Sequence, residues 1–238
     1  GLDYSNKLLH LPSAKSLIID GDTSHYHVTD TDIKVSDFMP IIENLVISKA
    51  QFGNSVLDFR GCNRLRNLNL SGCTDIVDIV FPENNRLTSV YLPSGLKKLT
   101  IGKNPNLSTF VFAEGTALTE LSLDCSSIHS NFNYIDLLEN RVDYSNLKQF
   151  VIKNTPKEGL KITESIALKL AQVKKLGITS VIKGNFIITD QVEDQNTELG
   201  FTWGEKTDIK YITKKTLVES FGDIDSLTND VYFDYKVT

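Results

Sequence analysis

The sequence predicts an α/β solenoid. Successive turns of chain build a parallel β-sheet on one side, short strands or helices line the opposite side, and irregular caps close the ends. Three observations carry this expectation. From Leu65 onward one phrase recurs, apolar-x-x-apolar-x-apolar, as LRNLNLSGCTD, IVDIVFPENNR, LTSVYLPS, GLKKLTIGKNPN, LSTFVFAEGTA and LTELSLDCSS. Its inner apolar pairs are Leu68/Leu70, Ile79/Phe81, Val90/Leu92, Leu99/Ile101, Phe110/Phe112 and Leu121/Leu123, spaced by 11 residues with one arc of 9 between Val90 and Leu99. Before this run the rhythm is longer: 28 residues separate Leu17 from Leu45, which leaves room for a helix on the return side.

The pairs follow from strand geometry, because alternate side chains point to opposite sides and the two apolar residues face inward together. An 11-residue arc spans at most ~40 Å when fully extended. A closed coil must run along one strand, cross a core ~10 Å thick, run along a second strand and return. One arc is too short for that circuit, whereas two arcs, 20 to 22 residues, suffice. Successive arcs therefore alternate between two faces. Leu17, Leu45, Leu68, Val90, Phe110, Phe150 and Ser180 are expected in the main sheet, and Ile79, Leu99 and Leu121 on the other side. Phe110, Phe112 and Leu121 are expected core residues. At the ninth position of the phrase stand Cys62, Cys73, Asn84 and Asn104. An Asn there can bond backbone groups of the bend that would otherwise be buried unpaired, and a Cys fills the same slot as a small apolar group.

Taken in order, residues 1–13 read as a cap, with LLHLP over the open end of the core. A strand follows over Ser16 to Asp20, then a polar loop, GDTSHYHVTDTD. Ile33, Phe38, Ile41 and Ile42 suggest a short helical turn ended near Pro40. Leu45/Ile47 and Leu57/Phe59 open the regular run. After Leu123 a helix is expected over Tyr134 to Arg141, capped by Asn133, and Phe150/Ile152 resumes the strand frame. TESIALKLAQVKKL reads as an amphipathic helix with Ile166, Leu170, Val173 and Leu176 on one face, closed by Gly177. Strands at residues 179–182 and 186–189, an acidic loop, a helix over residues 213–220 and the strand VYFDYKV complete the chain. Residues 1–158 are thus a solenoid with its N-terminal cap. Residues 159–238 are a β/α continuation and C-terminal cap, with a small separate domain as the alternative.

Composition narrows the class. The 238 residues are 40% hydrophobic and 23% charged, which places the chain among folded proteins and not disordered ones. A net charge of −5 and a pI near 5.4 give no whole-chain attraction to nucleic acid or anionic lipid. No apolar run approaches the ~20 residues of a membrane-spanning helix. Beginning on Gly1 and stopping on FDYKVT, the sequence is expected to be a piece of a longer protein with neighbouring domains. Cys62, Cys73 and Cys125 are expected as buried thiols, since Cys62 and Cys73 fall on opposite faces.

Chemistry-bearing clusters are few. Asp20, Asp22, His25 and His27, followed by Asp30 and Asp32, offer both carboxylate and imidazole ligands. Their spacing matches no metal-binding loop, so a solvated polar loop is the better reading. Nucleophilic catalysis lacks its signature: there are four His, no G-x-S-x-G, no phosphate-binding loop and no H-E-x-x-H. Cys125 precedes His129 by four residues, but a Cys in the repeat frame is expected to be buried and inert. No cofactor is implied and an enzyme is disfavoured. Lysines over residues 169–215 come without interleaved aromatics and read as a solvated helix face.

The repeat phrases of residues 45–155 resemble bacterial leucine-rich-repeat proteins with short, roughly 21-residue repeats, as in internalins and surface proteins of gut Bacteroidetes. That resemblance implies a right-handed solenoid whose parallel sheet recognises protein or glycan, in a secreted or cell-surface protein, with no catalytic residues. The expected function is accordingly a non-enzymatic interaction module; a structural spacer or assembly subunit of a cell-surface or virion structure is the alternative. The middle residues of the main-sheet strands should face outward: Ile18, Val46, Asn69, Tyr91, Val111, Val151 and Val181. Those of the other side, Asp58, Val80, Thr100 and Ser122, are more polar. Val46, Asn69, Tyr91, Val111 and Val151 are the candidate binding residues, with Tyr91 as anchor, because an aromatic ring with a polar tip suits an interface.

Overall fold

The computed structural model describes residues 7–20, 26–84, 86–128, 132–156, 159–175, 181–188, 197–199, 201–203, 231–232 and 235–237. These residues form mostly parallel β-sheet, wound as a solenoid of about four turns with few helices. The chain divides into two compact units, Gly1–Leu118 with Ser126–Tyr134, and Thr119–Cys125 with Ile135–Thr238.

The first unit holds β1 (Ser16–Ile19), β2 (His27–Val28), β3 (Asp32–Lys34), β4 (Asn44–Ile47), β5 (Ala50–Asp58), β6 (Asn67–Asn69), β7 (Cys73–Phe81), β8 (Ser89–Tyr91), β9 (Lys98–Ile101) and β10 (Thr109–Val111). Arcs alternate between faces as the spacing predicts. One parallel sheet runs β1-β4-β6-β8-β10, with Leu17, Leu45, Leu68, Val90 and Phe110 in register. On the other face β5, β7 and β9 are parallel neighbours, and β2 and β3 both pair along β5. Leu68, Val90, Ile79 and Leu99 are buried between the two faces. Inside, Phe59 stacks on Phe81 at 5.5 Å and Phe81 meets Phe110 edge-on at 6.2 Å.

Three expectations change here. Phe110 and Phe112 are half-buried instead of core, because β10 is the last strand of its sheet. Phe132 covers part of the gap, its ring 5.4 Å from that of Phe110. The helical turn expected over residues 33–42 is instead β3 followed by a single 3-10 turn, Val35–Asp37. Ile33 is buried between exposed Asp32 and Lys34, an alternation of period two that suits a strand. The return side of this first turn is thus also strand.

The bends are tied to one another. Asn84 Nδ2 donates to the Leu65 carbonyl at 3.0 Å and to that of Cys62 at 3.4 Å. Asn104 Nδ2 donates to Pro82 and Gly102 carbonyls at 3.0 and 2.8 Å, and its backbone N–H donates to Ser127 Oγ at 2.9 Å. Cys62 and Cys73 are buried, their Sγ atoms 3.9 Å from the Met39 carbonyl and 3.6 Å from that of Ile47. The ninth position of the phrase therefore does what its chemistry suggested. Gly72 lies so close to the preceding turn that a Cβ would overlap the Ser48 carbonyl oxygen. Gly95, at φ +79°, turns the chain after Pro93, and Gly115, at φ +75°, does the same after Phe112.

The second unit contains β11 (Glu120–Asp124), α1 (Tyr134–Asn140), β12 (Gln149–Lys153), β13 (Leu160–Ile162), α2 (Glu164–Lys175), β14 (Val181–Ile188), β15 (Thr197–Leu199), β16 (Phe201–Trp203), β17 (Val231–Tyr232) and β18 (Tyr235–Val237). β12 lies between β11 and β14, parallel to both, and β16 adds antiparallel to β14. Two strands were expected, over residues 179–182 and 186–189. The structure has one, because β12, β16 and β13 pair consecutive parts of β14 and carry the ladder through Gly184. Thr163 Oγ1 caps α2 by accepting from the Ile166 N–H at 3.2 Å, and Ile166, Leu170 and Val173 are buried. Glu139 of α1 accepts from Thr163 Oγ1 at 2.8 Å and pairs with Lys169 at 3.4 Å. Gly177 and the helix expected over residues 213–220 lie outside the described residues. Among the described residues no helix is long and apolar enough to cross a membrane.

Two predictions follow from this packing. Phe81→Ala should cost about 3–5 kcal/mol through lost burial and a cavity, and Phe112→Ala only about 1–2 kcal/mol, both read from reversible urea unfolding. Burial pushes the thiols of Cys62, Cys73 and Cys125 up from 9.0 to about 12. A folded pKa above the unfolded one adds stability that is complete below pH ~9 and lost as pH climbs toward ~12. Unfolding midpoints should fall across that window, and should fall less in the Cys62→Ala/Cys73→Ala/Cys125→Ala variant.

Candidate interaction face

On the β1-β4-β6-β8-β10 sheet the outward side chains form two straight rows. Ile18, Val46, Asn69, Tyr91 and Val111 are paired in register from strand to strand. Beside them run Ser16, Asn44, Asn67, Ser89 and Thr109, paired in the same registers. Ile18 is 59% exposed, Val111 42% and Tyr91 37%, and these are the exposed large hydrophobic side chains among the described residues. All of them lie in one row of one sheet. Single exposed hydrophobics need no explanation, so what distinguishes this surface is their alignment along one row.

The polar row is partly knitted together. Asn44 Nδ2 donates to Ser16 Oγ at 3.3 Å, and Thr88 Oγ1 lies 3.3 Å from Asn67 Oδ1. Asn69 Oδ1 accepts from both the N–H and the Oγ of Ser71, at 3.1 and 2.7 Å. None of the ten outward positions carries charge, in a chain 23% charged.

The opposite face of the same unit differs. Its outward rows read Asp32, Val56, Asp78, Lys98 and Lys34, Asp58, Val80, Thr100. Arg60 holds Asp58 through a 2.7 Å ion pair. The ladder between β5 and β7 is interrupted by register shifts near Ser55, with Asn54 and Asp75 at positive φ. One face is thus regular and uncharged, and the other is irregular and charged. A shallow depression of about 450 Å³ is lined by Asn63, Glu83, Asn84 and Arg86. The side chain of Asn84 is occupied with the corner carbonyls, so it adds no chemistry there.

Of the sequence-predicted binding residues, Val46, Asn69, Tyr91 and Val111 come together. Val151 does not. It stands in β12, paired with Ser122 of β11 and with Lys183 of β14, and is only 9% exposed. The reason is phase: the 29 residues from Leu121 to Phe150 make one long turn whose return includes α1, so Phe150 comes back to the side of β11. Val181 of β14 belongs to that same sheet. Of the metal candidates, two can be placed. Asp20 accepts from Ser48 Oγ at 3.3 Å and His27 is exposed in β2, while Asp22 and His25 lie outside the described residues. Among the described residues no group of three or more His, Cys, Asp or Glu is placed to hold a metal ion. The polar row was missed by sequence reasoning, although its signal is the residue just before the first inner apolar position of each main-sheet strand.

Compared with known proteins, the chain matches no family model, no curated protein and no solved structure.

The reassignment of Val151 can be checked directly. Val111→Asp should change stability by less than about 1 kcal/mol, as surface substitutions do, whereas Val151→Asp should cost several times that by burying an unpaired charge. Thermal unfolding of the two variants side by side measures the contrast.

Proposed function

We propose that this chain is a non-enzymatic interaction module whose binding surface is the outward face of the β1-β4-β6-β8-β10 sheet. The observation that carries this reading is the in-register row from Ile18 to Val111, which gathers the exposed large hydrophobics into one strip. Its partner is a protein or a glycan, met at the cell surface or outside the cell, and the solenoid is of the leucine-rich-repeat kind. The repeat frame and its Asn/Cys position support that last assignment. A spacer or assembly subunit would carry its apolar surface at the ends of the stack. At the N-terminal end Leu8 is buried and the Leu11 N–H donates to the Phe38 carbonyl, so the cap is closed over the core there. At the other end of this sheet Phe110 and Phe112 are half-buried, so the exposed row, and not the state of the ends, supports a lateral binding face.

The test is the paired variant Tyr91→Ala/Val111→Asp, with folding verified by circular dichroism. Any partner recovered from protein or glycan arrays should bind the variant at least about tenfold more weakly, a change of ~1.4 kcal/mol. A partner held with unchanged affinity would move the site elsewhere.

A further inference from the structure

Taking that face as the binding surface, we infer that its ligand is a short stretch of uncharged oligosaccharide laid across the strands. The first argument is size. Five strands at ~4.8 Å spacing, each presenting about 10–13 Å of length, give a footprint of about 250 Å². A stable protein interface needs about 800 Å² per partner. The flat strip is therefore too small for a globular partner or a second copy of the chain, and of the right order for a few sugar rings.

The second argument is charge. An acidic saccharide or a phosphorylated ligand calls for Lys or Arg within the contact surface. The strip offers none, and the charges along its edges, Lys15, Glu43 and Arg66 just before β1, β4 and β6 and Asp20 just after β1, are of mixed sign. The third argument is the pairing of chemistries. Sugar hydroxyls both donate and accept; the Oδ1 atoms of Asn67 and Asn69 are engaged with Thr88 and Ser71, which leaves their amide N–H groups as donors, and the hydroxyls of Ser89 and Thr109 do both. A pyranose also has a C–H face, whose weakly positive hydrogens suit the negative face of an aromatic ring such as Tyr91. Tyr91 lies in register with Asn69, and Ser89 with Asn67, so stacking and hydrogen bonding are offered on adjacent strands. The unbroken register of this sheet keeps the strip flat enough for a ring to approach.

The experiment is affinity electrophoresis of the whole chain through gels containing neutral polysaccharides (mixed-linkage β-glucan, xyloglucan, galactomannan, α-mannan) or acidic ones (polygalacturonate, alginate). Sedimentation velocity runs in parallel. At least one neutral polysaccharide should retard the chain, and about 0.5 M salt should not abolish retardation, since no exposed charge pair is used. Tyr91→Ala and Asn67→Ala/Asn69→Ala should each weaken it at least about tenfold, while Tyr91→Phe, which keeps the ring, should retain most of it. Retardation by acidic polysaccharides alone, by none of them, or undiminished in a folded Tyr91→Ala would overturn the inference. Self-association that depends on Tyr91 would keep the face as a binding surface and overturn the saccharide.

Discussion

Each turn of this solenoid has corners where the backbone leaves one strand and heads for the other sheet, and the polar groups of those corners cannot be satisfied along a strand. Burying them is tolerable only if the neighbouring turn supplies partners. Asn84 does this for the carbonyls of Cys62 and Leu65, and Asn104 for those of Pro82 and Gly102. Asn104 is fully buried and Asn84 nearly so. Because each corner is bonded to the one before it, the turns cannot slip against one another. The straight rows on the outer face are a consequence of that lock.

The two faces of the first unit respond differently to the same stacking. On the β1-β4-β6-β8-β10 side the strands are only three or four residues long, and every pairing keeps its register. On the other side β5 and β7 each extend over nine residues, and the positive φ values of Asn54 and Asp75 absorb the mismatch between them. The short-strand face has no length in which to accumulate such irregularity. Regularity, absence of charge and an exposed aromatic thus coincide on one side for a geometric reason, and a surface with those properties suits recognition of a flat, neutral object.

What could be read from the chain alone was whatever local spacing controls. The alternation of arcs, the inward pairs, the corner role of Asn84 and Asn104, and the outward placement of Ile18, Tyr91 and Val111 all follow from residue period and side-chain chemistry. What could not be read depends on where the stack ends or changes phase. Phe110 and Phe112 have the same pattern as Leu68 and Leu70, yet lie half-open because no further strand follows β10 in its sheet. Val151 sits in a faultless strand frame, but the long turn before it returns the chain beside β11. No local pattern encodes either fact.

The three cysteines have a consequence for how closely the turns can stack. Each is free; Cys62 and Cys73 are buried in the place of a small apolar side chain, Cys125 is half-buried, and burial pushes all three thiols up. The described fold uses them for volume, with no covalent cross-link and no exposed thiolate to protect. What Cys62 and Cys73 contribute is shape: a side chain small enough to sit against a backbone carbonyl of the preceding turn.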